Sequence, residues 1–114
     1  MIQTRLVNGT SVVEITAKTL DGQTSERLIE ETNSALEQTR QVIFDLSNLN
    51  SLDSSGLGVL LSCLRQVKIA GGALKLCCLR PAVRAVFLLV QMHRLFAVYN
   101  TRDEALRGCE AEVQ

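Results

Sequence analysis

At 114 residues, 46% apolar and 21% charged, the chain is the size of a single domain that can bury a core without disulfide staples, so residues 1–114 read as one unit. Twelve Lys and Arg balance twelve Asp and Glu, and no basic stripe stands out, which argues against nucleic acid or an anionic membrane as a partner. No apolar run approaches the ~20 residues of a membrane span, the start Met1-Ile2-Gln3-Thr4-Arg5 lacks a signal-peptide core, and the expected location is the cytoplasm.

The chain opens with apolar residues Ile2, Leu6, Val7, Val12, Val13 and Ile15 on either side of Asn8-Gly9. Asn-Gly between two such segments predicts a hairpin, because both residues tolerate positive φ. From Gly22 to Arg40 the pattern is that of an amphipathic helix. Leu28, Ile29, Thr32, Ala35, Leu36 and Thr39 share one face, Glu30, Glu37 and Gln38 take solvated positions, and Asp21 stands where an N-cap would. Val42-Ile43-Phe44, with Asp45 and Leu46, is a short apolar run expected to be a strand covered on both faces. A loop follows over 47–52.

Ser54 to Ala70 is predicted helical, with Leu57, Leu60, Leu61, Leu64 and Val67 as its core stripe and Gly71-Gly72 as its stop. Leu74 to Leu79 reads as the next strand. Pro81 fits the first turn of a third helix, whose apolar face is Val83, Val86, Phe87 and Val90. Leu95 to Tyr99 reads as a last strand. Thr101-Arg102-Asp103-Glu104 has the form of a capping box, so a final helix is expected from Arg102 to Gly108 or beyond, burying Ala105 and Leu106. The order β-β-α-β-α-β-α-β-α implies an α/β fold: a mixed, mostly parallel five-stranded sheet with four helices.

Cys63, Cys77, Cys78 and Cys109 do not have zinc-site spacing and read as buried, reduced thiols. Cys77 and Cys78, adjacent in a strand, are expected to point to opposite faces. No metal or cofactor is expected.

The segment richest in chemistry is Asp53-Ser54-Ser55-Gly56-Leu57-Gly58, where a loop enters a helix. Asp and Ser are common N-cap residues, so part of this pattern is structural. A hydrolase nucleophile elbow needs G-x-S-x-G, whereas here Leu52-Asp53 precedes the serines; His93, the one histidine, is far along the chain; and no nucleotide-binding G-x-x-x-x-G-K-[ST] is present. These features argue against an enzyme.

The strand Gln41 to Leu46, then Leu52 through the Asp53-Ser54-Ser55-Gly56 segment to Leu60, resembles the signature of the STAS family (sulfate transporter and anti-sigma-factor antagonist domains). The likeness continues through Gly71 to Leu76, the Pro81-Ala82-Val83 helix start, and Leu95-Phe96 into Tyr99 to Leu106. The element order is also the family's, so the expected fold is STAS-like.

In the antagonist branch the serine directly after the Asp is phosphorylated by an anti-sigma factor that is also a serine kinase; the resemblance assigns that role to Ser54. It further implies release of the partner on phosphorylation and restoration by a phosphatase. Ser55 is the competing phosphosite. Asp21 matches an Asp near the family's switch serine, while also fitting a plain N-cap. Asp21, Asp53, Ser54, Ser55, Gly56, Gly58, Ser62 and Arg65 form the expected partner surface, with Gly56 and Gly58 sparing room beside the hydroxyl. The alternative is an adaptor subunit of a stress-signalling or lipid-transport complex, without phosphorylation.

The chain departs from the family at two places. Lys18 stands where an acid usually precedes the first helix, and Gln91 stands where Gly usually ends the third, a change expected to alter that cap.

Overall fold

The computed structural model describes residues 1–113. Asn8 and Gly9 turn the chain with φ of 50° and 81°, the conformation of a two-residue turn whose twist matches the flanking strands. This turn joins β1 (Ile2–Val7) to β2 (Thr10–Ile15) in antiparallel register, from Val7 opposite Thr10 to Ile2 opposite Ile15. The chain then alternates through α1 (Gly22–Leu36), β3 (Gln41–Asp45), α2 (Ser54–Ile69), β4 (Ala73–Cys77), α3 (Pro81–Leu89), β5 (Ala97–Tyr99) and α4 (Arg102–Val113). A short 3₁₀ turn, Met92–Arg94, lies between α3 and β5. Strand order is β1-β2-β3-β4-β5, antiparallel only at the first pair. The predicted order and mixed sheet are therefore found.

Because successive strand residues face opposite ways, β3 is buried on both sides. Val42 and Phe44 join the larger core with Leu28, Ala35, Leu60, Leu64, Val67, Val83 and Phe87 from α1, α2 and α3. Ile43 faces a second, smaller core, made with Val12, Cys77, Ala105 and Cys109 under α4. The central strands thus carry helices on both faces, and the loops at their carboxyl ends are held between layers.

Several boundaries differ from the sequence pattern. α1 stops at Leu36 rather than Arg40, because β3 must begin at Gln41 to pair with Thr10. Thr39, predicted on the helix face, instead donates its hydroxyl to the Gly9 carbonyl at 2.5 Å and accepts from the Gln41 N–H at 3.0 Å. α2 ends one residue early, with Ala70 as its C-cap. Cys63 belongs fully to the core, while Leu57 and Leu61 are only partly buried.

β4 ends at Cys77, not Leu79, since Cys78 takes φ of 65° and leaves the ladder. That backbone turn also overrides strand alternation: Cys77 and Cys78 both pack against the α4 core rather than on opposite faces. Val90 lies exposed outside α3, and β5 starts at Ala97 because Met92–Arg94 coils first. Gln91 adopts φ of 60°, the left-handed conformation that a glycine takes readily, so the turn after α3 keeps a glycine-like shape without glycine. At Thr101 the expected reciprocal box is only half formed. The Glu104 N–H donates to the Thr101 hydroxyl at 3.1 Å, but the Glu104 carboxylate accepts from that same hydroxyl, at 3.2 Å, rather than from a backbone N–H.

Candidate functional site

Two helix N-termini meet at the carboxyl end of the sheet. Asp53 caps α2 from an extended conformation, its Oδ1 accepting the Gly56 N–H at 2.9 Å. Asp21 caps α1 in the same way, its Oδ1 accepting the Thr24 N–H at 2.8 Å. That backbone donor holds the Asp21 carboxyl below the usual carboxylate range. The loops leading into the helices are tied together by the Asn50 N–H, which donates to the Lys18 carbonyl at 2.8 Å. Asp21 and Asp53 consequently line one open depression, together with Thr19, Leu20, Ser51 and Leu52.

Ser54 is the first residue of α2 and Ser55 the second, and both are exposed, as are Asp21 and Asp53. A helix N-terminus presents unsatisfied N–H groups and a partial positive charge, which favour an anion there. Ser55, Gly58, Ser62 and Arg65 recur at helical spacing and are all exposed, so they form a single outer stripe descending from this corner.

Gly56 does not belong on that surface. It is buried, and a Cβ there would lie 2.6 Å from Leu52 Cδ1 and 3.4 Å from Leu20 Cβ. Its missing side chain lets the first turn of α2 settle onto the two loops; it does not open room for a partner. Gly58 is the opposite case: it is exposed, and an added Cβ would meet nothing within 4 Å. Nothing inside the fold requires glycine at that position.

An ion-pair network that the sequence pattern did not announce lies at the same carboxyl end of the sheet. Asp45, at the end of β3 and only 4% exposed, accepts from Arg102 Nε at 3.0 Å and Nη2 at 2.6 Å through Oδ2. Its Oδ1 accepts the Ser47 N–H at 2.9 Å. Arg102 also reaches Glu14 at 3.2 Å. Burial pushes the Asp45 carboxyl up, but the Ser47 N–H and Arg102 outweigh it and hold it below the ordinary value.

The thiols of Cys77 and Cys78 lie close to this carboxylate, all three ligand atoms within 4.8 Å of one another. Burial pushes both thiols up, toward the protonated form. With both Asp45 oxygens already engaged, the chemistry of this group is that of a packed ion pair. An Asp inside an apolar strand was a visible signal that a buried charge needed a cation. Spacing alone could not select Arg102 as that cation.

His93 sits exposed in the 3₁₀ turn after α3, at the amino edge of β5, far from the carboxyl-end corner that holds Ser54. No helix among the described residues is long and apolar enough to cross a membrane.

Comparison with known proteins agrees with this architecture. The STAS domain profile matches residues 1–105. The chain is 27% identical over 104 residues to the anti-sigma F factor antagonist of Paenibacillus polymyxa, covering 90% of this chain and 88% of that protein. It is 39% identical over 66 residues to BtrV of Bordetella bronchiseptica, named as a candidate anti-sigma factor antagonist; that match spans 58% of this chain and 57% of the relative's length. Among solved structures, unphosphorylated SpoIIAA, an anti-sigma factor antagonist, superposes with a TM-score of 0.81 at 24% identity over 97% of both chains. The phosphorylated form of the Bacillus cell fate determinant SpoIIAA superposes at 0.72 and 23%, over 94% of this chain and 97% of that one. This chain belongs to the STAS domain family.

Proposed function

We propose that this protein is an anti-sigma-factor antagonist, a non-catalytic partner switch of the cytoplasm. Unmodified, it binds an anti-sigma factor that is also a serine kinase. Phosphorylation of Ser54 by that kinase releases it, and a phosphatase restores it. The observation that carries this reading is an exposed serine at the first position of a helix, directly after a capping aspartate that shares one depression with a second capping aspartate.

The physics of the corner favours a switch that acts on docking and not on folding. A phosphoserine adds about −1.5 to −2 charge, which the amino end of α2 accommodates. A partner packed over the same corner must desolvate that dianion beside Asp21 and Asp53, and any acid it presents is repelled. The names of the similar proteins support the same reading, and SpoIIAA itself is described in both unphosphorylated and phosphorylated forms.

The test is a pull-down from the native host with the unmodified and the phosphorylated protein, followed by phosphopeptide mapping after incubation with the captured kinase and labelled ATP. Phosphate on Ser54, with loss of the captured anti-sigma factor, is the expected result. Phosphate on Ser55 moves the switch by one residue. Capture that is indifferent to phosphate, with no label on either serine, overturns the switch in favour of an adaptor role.

A further inference from the structure

Among the described residues the sheet ends at β1 on one side and β5 on the other, and the two edges are built differently. β5 is three residues long, which offers another chain little to pair with. β1 is six residues long, without proline, and Arg5 is its one charged side chain. Its register with β2 runs unbroken, with no bulge, from Val7 to Ile2. Gln3, Thr4, Arg5 and Leu6 are all exposed. Shortness, proline, bulges and charge are the usual means by which an edge avoids another strand, and apart from Arg5 this edge has none of them.

The direction of each backbone group follows from the hairpin. A two-residue turn closes on a hydrogen-bonded pair, here Val7 with Thr10. At the far end the Thr16 N–H donates to the Met1 carbonyl at 2.8 Å. The odd-numbered residues of β1 therefore spend their N–H and C=O groups on β2, while Ile2, Thr4 and Leu6 point theirs outward. Side chains alternate as well. Thr4 and Leu6 lie on the α1 side, where the Thr4 hydroxyl donates to Glu31 at 2.9 Å. Gln3 and Arg5 lie on the other side, with Glu14.

We propose that this edge pairs antiparallel with the same edge of a second copy, about a two-fold axis at Thr4, so that one sheet runs through both copies. The residues select the register. With Thr4 opposite Thr4, Ile2 stands opposite Leu6 on both sides of the axis, and Gln3 stands opposite Arg5. Outward groups then meet outward groups, and each such pair exchanges both its hydrogen bonds. An axis between two residues sets outward groups against groups already bonded to β2. An axis at Arg5 opposes two arginines, which is destabilising. An axis at Gln3 places Leu6 beyond the end of the facing strand.

A foreign strand could supply the backbone bonds. The second copy supplies matched side chains too. Leu6, 53% exposed in the single chain, is covered by Ile2 of the other copy. Arg5 enters the cross-strand row of Gln3 and Glu14, which are opposite each other in the hairpin, so a cation meets an acid across the axis. The two Glu31 carboxylates come to one side of the axis, each already paired with its own Arg27 at 3.2 Å. α1 packs on both β1 and α2, so it stands between this edge and Ser54. The inference does not depend on the proposed switch.

The test is sedimentation equilibrium of the whole, unphosphorylated protein. One strand pair buries less than the roughly 1,200 Å² of a standard interface, so a weak dimer is expected, forming between about 10 and about 500 μM. Leu6→Lys adds a charge at an exposed edge position, and Thr4→Pro removes an N–H that points away from β2. Each is expected to weaken association by about tenfold, with the circular dichroism unchanged. Cross-linking reads the axis. Thr4→Cys sets two thiols on a pair about 5.5 Å apart at Cα, within disulfide reach. Glutathione disulfide is expected to give about fivefold more covalent dimer from it than from Arg5→Cys or from the unsubstituted protein. A protein that stays monomeric throughout, a dimer that Leu6→Lys leaves intact, or cross-linking as ready from Arg5→Cys as from Thr4→Cys overturns the proposal. The first of these would leave the edge to a strand of another protein.

Discussion

Arg102, the first residue of α4, and Asp45, the last residue of β3, meet at 2.6 Å across the carboxyl edge of the sheet, although 57 positions separate them in the chain. The contact joins the α4 layer to the strand that leads into the Ser54 loop. Asp45 is almost fully buried, whereas the Arg102 side chain is about a third exposed. The two partners therefore do not respond alike to truncation. Arg102→Ala leaves a buried carboxylate without its cation and is expected to cost about 3 kcal/mol. Asp45→Asn removes the buried charge and leaves a guanidinium that solvent and Glu14 can still serve, so the expected loss is about 1 kcal/mol. Urea denaturation of both variants at neutral pH checks the order; equal losses would mean that the pair is not seated as described.

The same carboxylate sets a direction for pH dependence. The ordinary Asp value is near 3.9, and Asp45 in the folded protein lies below it. Between the two values the unfolded chain binds more protons than the folded one, so stability falls as pH falls. The contribution is complete above the unfolded value and is lost as pH drops through the folded one. Asp21, also lowered, acts with the same sign. Denaturation midpoints from about pH 7 down to about pH 3 are expected to fall below roughly pH 4, and Asp45→Asn is expected to flatten that fall. An unchanged slope in the variant would locate the acid sensitivity elsewhere.

The elements were readable wherever a local rule was decisive. Asn8-Gly9 demanded positive φ, the leucines of α2 repeated at helical spacing, and Pro81 suited only a first turn. The boundaries were not readable where tertiary pairing prevailed. Thr39 continues the helical spacing of α1, yet β3 must start two residues later, so it caps the turn instead. Within the candidate site, the Asp53 and Asp21 caps were visible as residue types, but their nearness to each other comes from the Asn50–Lys18 backbone bond, which no side chain announces. Gly56 and Gly58 look equivalent in sequence; only packing separates a buried close approach from an open surface position.

Gln91 offers a test of stored backbone strain. A non-glycine residue at φ 60° gives up roughly 1–2 kcal/mol relative to glycine, partly offset by the greater freedom that glycine loses on folding. Gln91→Gly is expected to raise stability by about 0.5–1 kcal/mol without altering the turn that ends α3. Thermal melting of the variant measures this directly. A lowered melting temperature would indicate that the Gln91 side chain makes contacts worth more than the relieved strain.

Gly58 separates folding from docking in one substitution. Glycine inside a helix costs about 0.5–1 kcal/mol relative to alanine, and here the fold gains nothing in return, because a Cβ would stand in open space. Gly58→Ala is therefore expected to stabilise the isolated protein by about that amount. On the proposed partner surface the same methyl sits between Ser55 and Ser62 on the outer stripe of α2, where a docked backbone would have to withdraw to admit it. Affinity for the anti-sigma factor is expected to fall by tenfold or more, a loss of at least ~1.4 kcal/mol. Calorimetric unfolding and binding titration of the one variant read both effects, and their opposite signs are the signature of a residue kept for a partner. Gained stability with undiminished affinity would move the contact surface off this stripe of α2.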